Sequence, residues 1–183
     1  MTEFLAGGRR RIDRVLAPEF VTGLEELDLD GVRARRSEAD QEEADLSYAR
    51  RLLQGRLDIL RAEQGRRAGG TAVNLHPRSD EEIVDTLAHI LADEPRADRG
   101  LGRFLSAEPS RVGEHRREAE RAVSDVADSD PTELSSDELA EAIRRLAEIE
   151  GKVSRVRRDV QSVVDALTDE IARRYTKGEV SFA

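Results

Sequence analysis

The sequence predicts an all-α protein built around two long helices, and three observations carry that expectation. Aromatic residues make up only 3% of the 183 positions and charged residues 38%, which favours long solvated helices over a large compact core. Val, Ile, Phe and Tyr seldom alternate with polar residues, so strand signals are scarce. Two stretches free of proline, near residues 37–67 and 135–175, carry apolar residues at helical spacing.

The elements follow in chain order. Residues 1–36 read as an irregular or docking segment, because Gly7-Gly8 and Pro18 interrupt them and leave room only for short helices. Ser37, with Asp40 three residues on, reads as an N-cap, and the first long helix is expected over 37–67, stopping at Gly69-Gly70. Residues 68–134 form an acidic connection with one or two shorter helices. The first of these opens on a Ser79–Glu82 capping box, turns Ile83, Leu87, Ile90 and Leu91 to one side and ends before Pro95. After a loop over 96–109, a second short helix runs from Ser110 to about Ala127, and Asp130-Pro131 breaks it. The clearest start in the chain is Ser135, with Glu138 at the third helical position and Leu134 and Leu139 as a hydrophobic staple. From there the second long helix is expected over 135–175, followed by a tail at 176–183. A helix of about forty residues rarely stands alone in water, so it must be amphipathic and paired. The connection and the N-terminus are expected to include flexible segments.

Composition also excludes functions. Without cysteine there are no disulfides or thiolate metal sites. His76, His89 and His115 lie far apart, and no metal site is expected. No apolar run approaches membrane-spanning length and no signal-peptide core opens the chain, so a soluble cytoplasmic protein without a membrane partner is expected. The net charge is −9, and residues 79–133, with fifteen acids and seven arginines, carry −8 of it. Such a chain suits a basic protein partner better than direct contact with DNA backbone.

One polar pattern occurs twice. Glu43, Ser47, Arg50, Gln54 and Asp58 are spaced 4, 3, 4 and 4 apart, and so are Glu150, Ser154, Arg157, Gln161 and Asp165. The offset is 107 residues. At about 100° per residue each set falls within an arc of roughly 80° on its helix. The neighbouring apolar positions repeat as well: Leu46, Ala49, Leu53, Leu57 and Leu60 match Val153, Val156, Val160, Val164 and Leu167. Packing accounts for the apolar rows. It does not account for Ser, Gln and Asp at matched polar positions, where any soluble residue would serve.

If the helices pair along their apolar rows, the two polar stripes flank one groove. The connection permits either direction; an antiparallel pair would relate the stripes by a pseudo-two-fold axis, which suits a two-fold symmetric ligand. Arginine donates to guanine O6 and N7. A carboxylate accepts from guanine N1–H and N2–H. Arginine also binds phosphate, and Ser and Gln can complete such a contact.

The doubled Glu-x3-Ser-x2-Arg-x3-Gln-x3-Asp pattern resembles the RsiG family, the cyclic di-GMP-dependent anti-sigma factors of streptomycetes. All ten positions match. The resemblance implies an antiparallel two-helix coiled coil that binds cyclic di-GMP as an intercalated pair and then sequesters WhiG, a flagellar-type sigma factor used in sporulation. It implies that Arg50, Asp58, Arg157 and Asp165 read guanines, while Glu43, Ser47, Gln54, Glu150, Ser154 and Gln161 complete the site. On geometry alone, Arg51 and Arg158 beside the stripe are candidate phosphate contacts. The apolar seam looks thin, so a ligand bridging the helices is expected to favour the paired form by mass action.

Two other classes compete. A constitutive coiled-coil adaptor would use the stripes to contact protein directly, indifferent to nucleotide. An enzyme is not expected: there is no Gly-rich phosphate loop, no metal-ligand cluster and no nucleophile beside a base.

Overall fold

In the computed structural model, residues 5–69, 108–109, 113–127 and 130–178 are described. Among them the regular structure is entirely helical: α1 (Arg11–Val15), two 3-10 turns (Pro18–Phe20 and Leu24–Glu26), α2 (Leu29–Arg67), α3 (Glu114–Ala127) and α4 (Ser136–Thr176). The expected helix from Ser79 to Leu91 lies outside the described residues, as do most of the loop after it and residues 179–183.

The long helices α2 and α4 have 39 and 41 residues, and they run antiparallel. Arg33 of α2 bonds to the Tyr175 hydroxyl near the end of α4. Further along, Gln54 donates to Glu150 at 3.0 Å, and at the far end Arg67 reaches the Pro131 carbonyl at 2.9 Å. The seam explains why they pair. Val32, Ala39, Leu46, Leu53 and Leu60 recur every seven residues on α2, and Leu139, Leu146, Val153, Val160 and Leu167 do so on α4; all are buried. A seven-residue apolar period is the geometry of a left-handed coiled coil. Each residue of the first row lies 107 positions before its counterpart in the second, so the duplication includes the core.

The start of α2 corrects the expectation at Ser37. Asp28 is the N-cap, its carboxylate accepting from the Gly31 amide at 2.7 Å. A Cβ at Gly31 would stand 2.9 Å from Asp28 Oδ1, so the cap carboxylate lies close over the glycine. Ser37 therefore lies inside the helix and faces solvent. The extra turns are stabilised by burial of Val32, one heptad before Ala39, a tertiary effect that local capping signals do not contain. At α4 the cap is as expected: Ser135 accepts from the Glu138 amide, and Glu138 accepts from the Ser135 amide at 2.8 Å.

The seam is also thicker than the two rows alone. The N-terminal segment buries Val15, Phe20 and Leu24, and α3 buries Ala119 and Ala122, all continuous with the seam. Arg174 stands one heptad past Leu167, where the apolar row would continue. Its buried guanidinium donates to the Leu27 carbonyl at 2.8 Å and the Leu24 carbonyl at 2.5 Å, satisfying the turn that packs there. Arg11 bonds to Glu42 at 2.6 Å and to Asp45, while His115 of α3 lies 2.5 Å from the same Glu42. One buried carboxylate on α2 thus holds both the N-terminal segment and α3. Nearby, the Asp13 carboxylate accepts from the Leu5 and Arg10 amides and pairs with Arg10. Gly8 leaves the room, because a Cβ there would be 2.2 Å from Asp13 Oδ2.

These carboxylates make stability fall in acid. Arg10 holds the Asp13 carboxyl down at about 2. The pairs Arg66–Arg67 and Arg173–Arg174 do the same for Glu63 and Glu170, each to about 2. Burial pushes Glu42 up, but bonds from His115 and Arg11 outweigh it and leave a net lowering. A carboxylate with a depressed folded-state pKa stabilises fully above its unfolded value, near 4, and loses that contribution as pH falls through the folded value. The thermal midpoint by circular dichroism is therefore expected to hold above about pH 5 and to drop between about pH 4 and pH 2. A midpoint unchanged at the acid end would contradict these assignments.

Candidate functional site

The antiparallel register brings the two polar stripes side by side. On each helix the stripe lies roughly a quarter turn from the seam. The α2 residues that meet the N-terminal segment and α3 (Glu38, Glu42, Asp45 and Tyr48) lie roughly half a turn from the stripe. The groove between the stripes is therefore on the opposite side of the helix pair from α1 and α3.

Within the groove the motifs engage each other. Glu43 accepts from Ser47 on its own helix at 2.9 Å, and from Gln161 and Arg157 of α4 at 3.0 Å each. Glu150 accepts from Ser154 on its own helix at 2.8 Å and from Gln54 of α2 at 3.0 Å. Exchanging the helices carries Glu43, Ser47 and Gln161 onto Glu150, Ser154 and Gln54, so the bonds follow a pseudo-two-fold axis. Each half of the groove has a glutamate held by its own serine and by the other helix's glutamine.

The arginines lie at the centre, near that axis. Burial and the charge of Arg157 both lower the Arg50 guanidinium from its ordinary value, while Glu150 acts the other way. It stays protonated, as arginine does in proteins. Arg157 is paired with Glu43. In both arginines Nε is buried without a hydrogen-bond partner. Two neighbouring cations with unspent donors make a place where an anion or an acceptor-rich ring is stabilised.

The aspartates occupy the two ends. Asp58 and Asp165 are exposed, beyond Gln54 and Gln161 respectively. Eight residues, about 12 Å along a helix, separate each motif arginine from its aspartate, which leaves space for a planar base over the intervening glutamine. Arg51 and Arg158 are exposed beside the stripes, and Arg158 Nε donates to the Ser154 carbonyl at 3.3 Å. The register thus gathers the motif glutamates, serines, arginines and glutamines into one hydrogen-bonded strip, with Asp58, Asp165, Arg51 and Arg158 around it.

The direct Glu–Gln bonds between the stripes are not evident from the sequence, because they depend on register. A signal for them exists: in an antiparallel pair, positions summing to a constant face each other, and 43 with 161 and 54 with 150 give the same sum. Among the described residues no group of three or more His, Cys, Asp or Glu is placed to hold a metal ion. No described helix is long and apolar enough to cross a membrane.

A family model described as RsiG-like matches residues 18–91 and 125–182, which include all ten motif positions. A comparison with curated proteins finds no match.

Proposed function

The chain belongs to the RsiG-like family, and from that premise we propose that it is an anti-sigma factor gated by cyclic di-GMP. Membership suggests the anti-sigma role. The ligand is argued from the groove, and one observation carries it: two matched sets of Glu, Ser, Arg, Gln and Asp face each other about a pseudo-two-fold axis, with under-satisfied arginines at the centre. A cyclic guanine dinucleotide is itself two-fold symmetric. Its guanines offer O6 and N7 to Arg50 and Arg157, and N1–H and N2–H to Asp58 and Asp165. The glutamates, serines and glutamines then complete the base, ribose or phosphate contacts, and Arg51 and Arg158 stand ready for phosphate. An intercalated pair of ligands would use each motif position in both halves.

In this reading the loaded protein sequesters a WhiG-like, flagellar or sporulation-type sigma factor in the cytoplasm and so keeps it from RNA polymerase. It regulates developmental transcription without catalysis. Ligand and sigma factor must then strengthen each other's binding by the same factor.

A second reading has one observation on its side. The stripes bond directly to each other through Gln54–Glu150, Gln161–Glu43 and Arg157–Glu43, so crossing the groove needs no bridge. A constitutive adaptor would suit that arrangement. Capture of the sigma factor by the purified protein, with and without cyclic di-GMP, separates the two. Gating predicts at least about tenfold more capture with ligand, as expected for a coupling of 1.4 kcal/mol or more. Equal capture would leave the adaptor.

A further inference from the structure

The stripe continues beyond the repeat. Arg36 stands seven residues before Glu43, and Arg61 seven residues after Gln54. Both fall within roughly 20° of the line through Glu43 and Gln54 on α2. The register that faces Gln161 to Glu43 puts Arg36 across from Thr168, at the Asp165 end of the groove. Arg61 lies one turn past Asp58, at the other end. The corresponding positions on α4 hold Ile143 and Thr168, so α2 alone supplies a cation at each end.

Several arginines off the stripe are held by an acid on their own helix. Off it, Arg66 and Arg67 are held by Glu63 at 2.7 Å each, Arg144 by Glu141 at 2.5 Å, and Arg173 and Arg174 by Glu170 at 2.6 and 2.8 Å. Each of those carboxylates lies within about a turn on the same helix. On the stripe, Arg36 makes a long ion pair with Asp40 at 3.6 Å, beyond hydrogen-bond range, and its buried Nε has no hydrogen-bond partner. Arg61 is exposed and, among the described residues, makes no hydrogen bond or ion pair. Exposed arginines off the stripe, Arg51 and Arg155 among them, also make no ion pair among the described residues; what sets Arg36 and Arg61 apart is their place on the groove line, each about one turn along the axis from the level of a motif aspartate.

We propose that Arg36 and Arg61 are end clamps of the ligand groove. Each donates to the acceptor edge of an outermost guanine, beyond the base that the motif arginine and aspartate read. A pair of cyclic dinucleotides carries four guanines, and the motif arginines account for two; the end clamps serve the others. The binding strip then runs from Arg36 to Arg61, roughly 38 Å along α2.

The clamps rest on the proposed function, and calorimetric titration with cyclic di-GMP tests them separately from it. Arg36→Ala and Arg61→Ala are each expected to weaken binding about tenfold, the loss of one guanine contact, and the double variant further still. Arg144→Ala removes the same charge away from the groove and is expected to bind as the wild type does. Circular dichroism checks that helix content is kept. Wild-type binding with unchanged affinity in the double variant overturns the clamps and leaves the proposed function standing. An equal loss in Arg144→Ala overturns them too, since net charge would then be the cause. A wild-type chain that does not bind cyclic di-GMP overturns both.

Discussion

Arg157→Ala is expected to weaken cyclic di-GMP binding by about a hundredfold, the upper part of the range for a lost bidentate guanine contact. Arg157 contributes twice over. It would donate to the ligand, and it also holds Glu43 in place together with Ser47 and Gln161. Removing it leaves a half-buried carboxylate with fewer partners, which costs free energy before any ligand arrives. Asp165→Ala tests the end of the groove, where Asp165 is exposed. It is expected to cost roughly tenfold to a hundredfold in affinity. Arg157→Lys separates charge from shape. Lysine keeps a cation that can meet phosphate but loses the planar fork that fits O6 and N7, so its affinity should resemble that of Arg157→Ala. Calorimetry decides these outcomes, with circular dichroism confirming helix. Unchanged affinity in both Arg157→Ala and Asp165→Ala would sink the site.

What could be read from the sequence, and what could not, divides by how far an interaction reaches along the chain. The seam was legible because its information is periodic: Leu46, Leu53 and Leu60 announce a buried row, and Val153, Val160 and Leu167 announce its copy. The cap at Ser135 was legible because four consecutive residues contain it. The stripes were legible as stripes, but their mutual hydrogen bonds were not, since those depend on a register set by the whole seam. The expected start of α2 at Ser37 rests on a local cap signal, Ser37 with Asp40, whereas the helix begins at the Asp28 cap, nine residues earlier, where Val32 extends the buried row. The junction at Glu42 was the least legible feature. Its partners Arg11 and His115 lie 31 and 73 residues away, and nothing local marks Glu42 as buried. Both lie outside the two stretches that match the family, so α1 and most of α3 join a scaffold whose groove lies on its other side.

Leu53→Ala tests how far the groove depends on that scaffold. Leu53 is fully buried in the middle of the seam, adjacent in sequence to Gln54. Truncation leaves a cavity between helices that relax only partly, and the expected cost is about 3–5 kcal/mol. For a protein of this size that lowers the melting temperature by roughly 10 °C or more. Ile59→Ala on the same helix is the control, since Ile59 is 43% exposed and its loss should be worth about 0.5 kcal/mol or less. Under the proposed function cyclic di-GMP binds only the paired form, so at a hundred times its dissociation constant it should then return about 2.7 kcal/mol to either protein. This follows from geometry: Gln54 reaches Glu150 and Gln161 reaches Glu43 only while the seam holds α2 and α4 in register. A ligand that reads both stripes at once therefore reads the register. Thermal melts of wild type, Leu53→Ala and Ile59→Ala, each with and without ligand, test the coupling. If Leu53→Ala melts with the wild type, the seam is not what fixes the groove. If ligand raises neither melting temperature, the two stripes do not form one site.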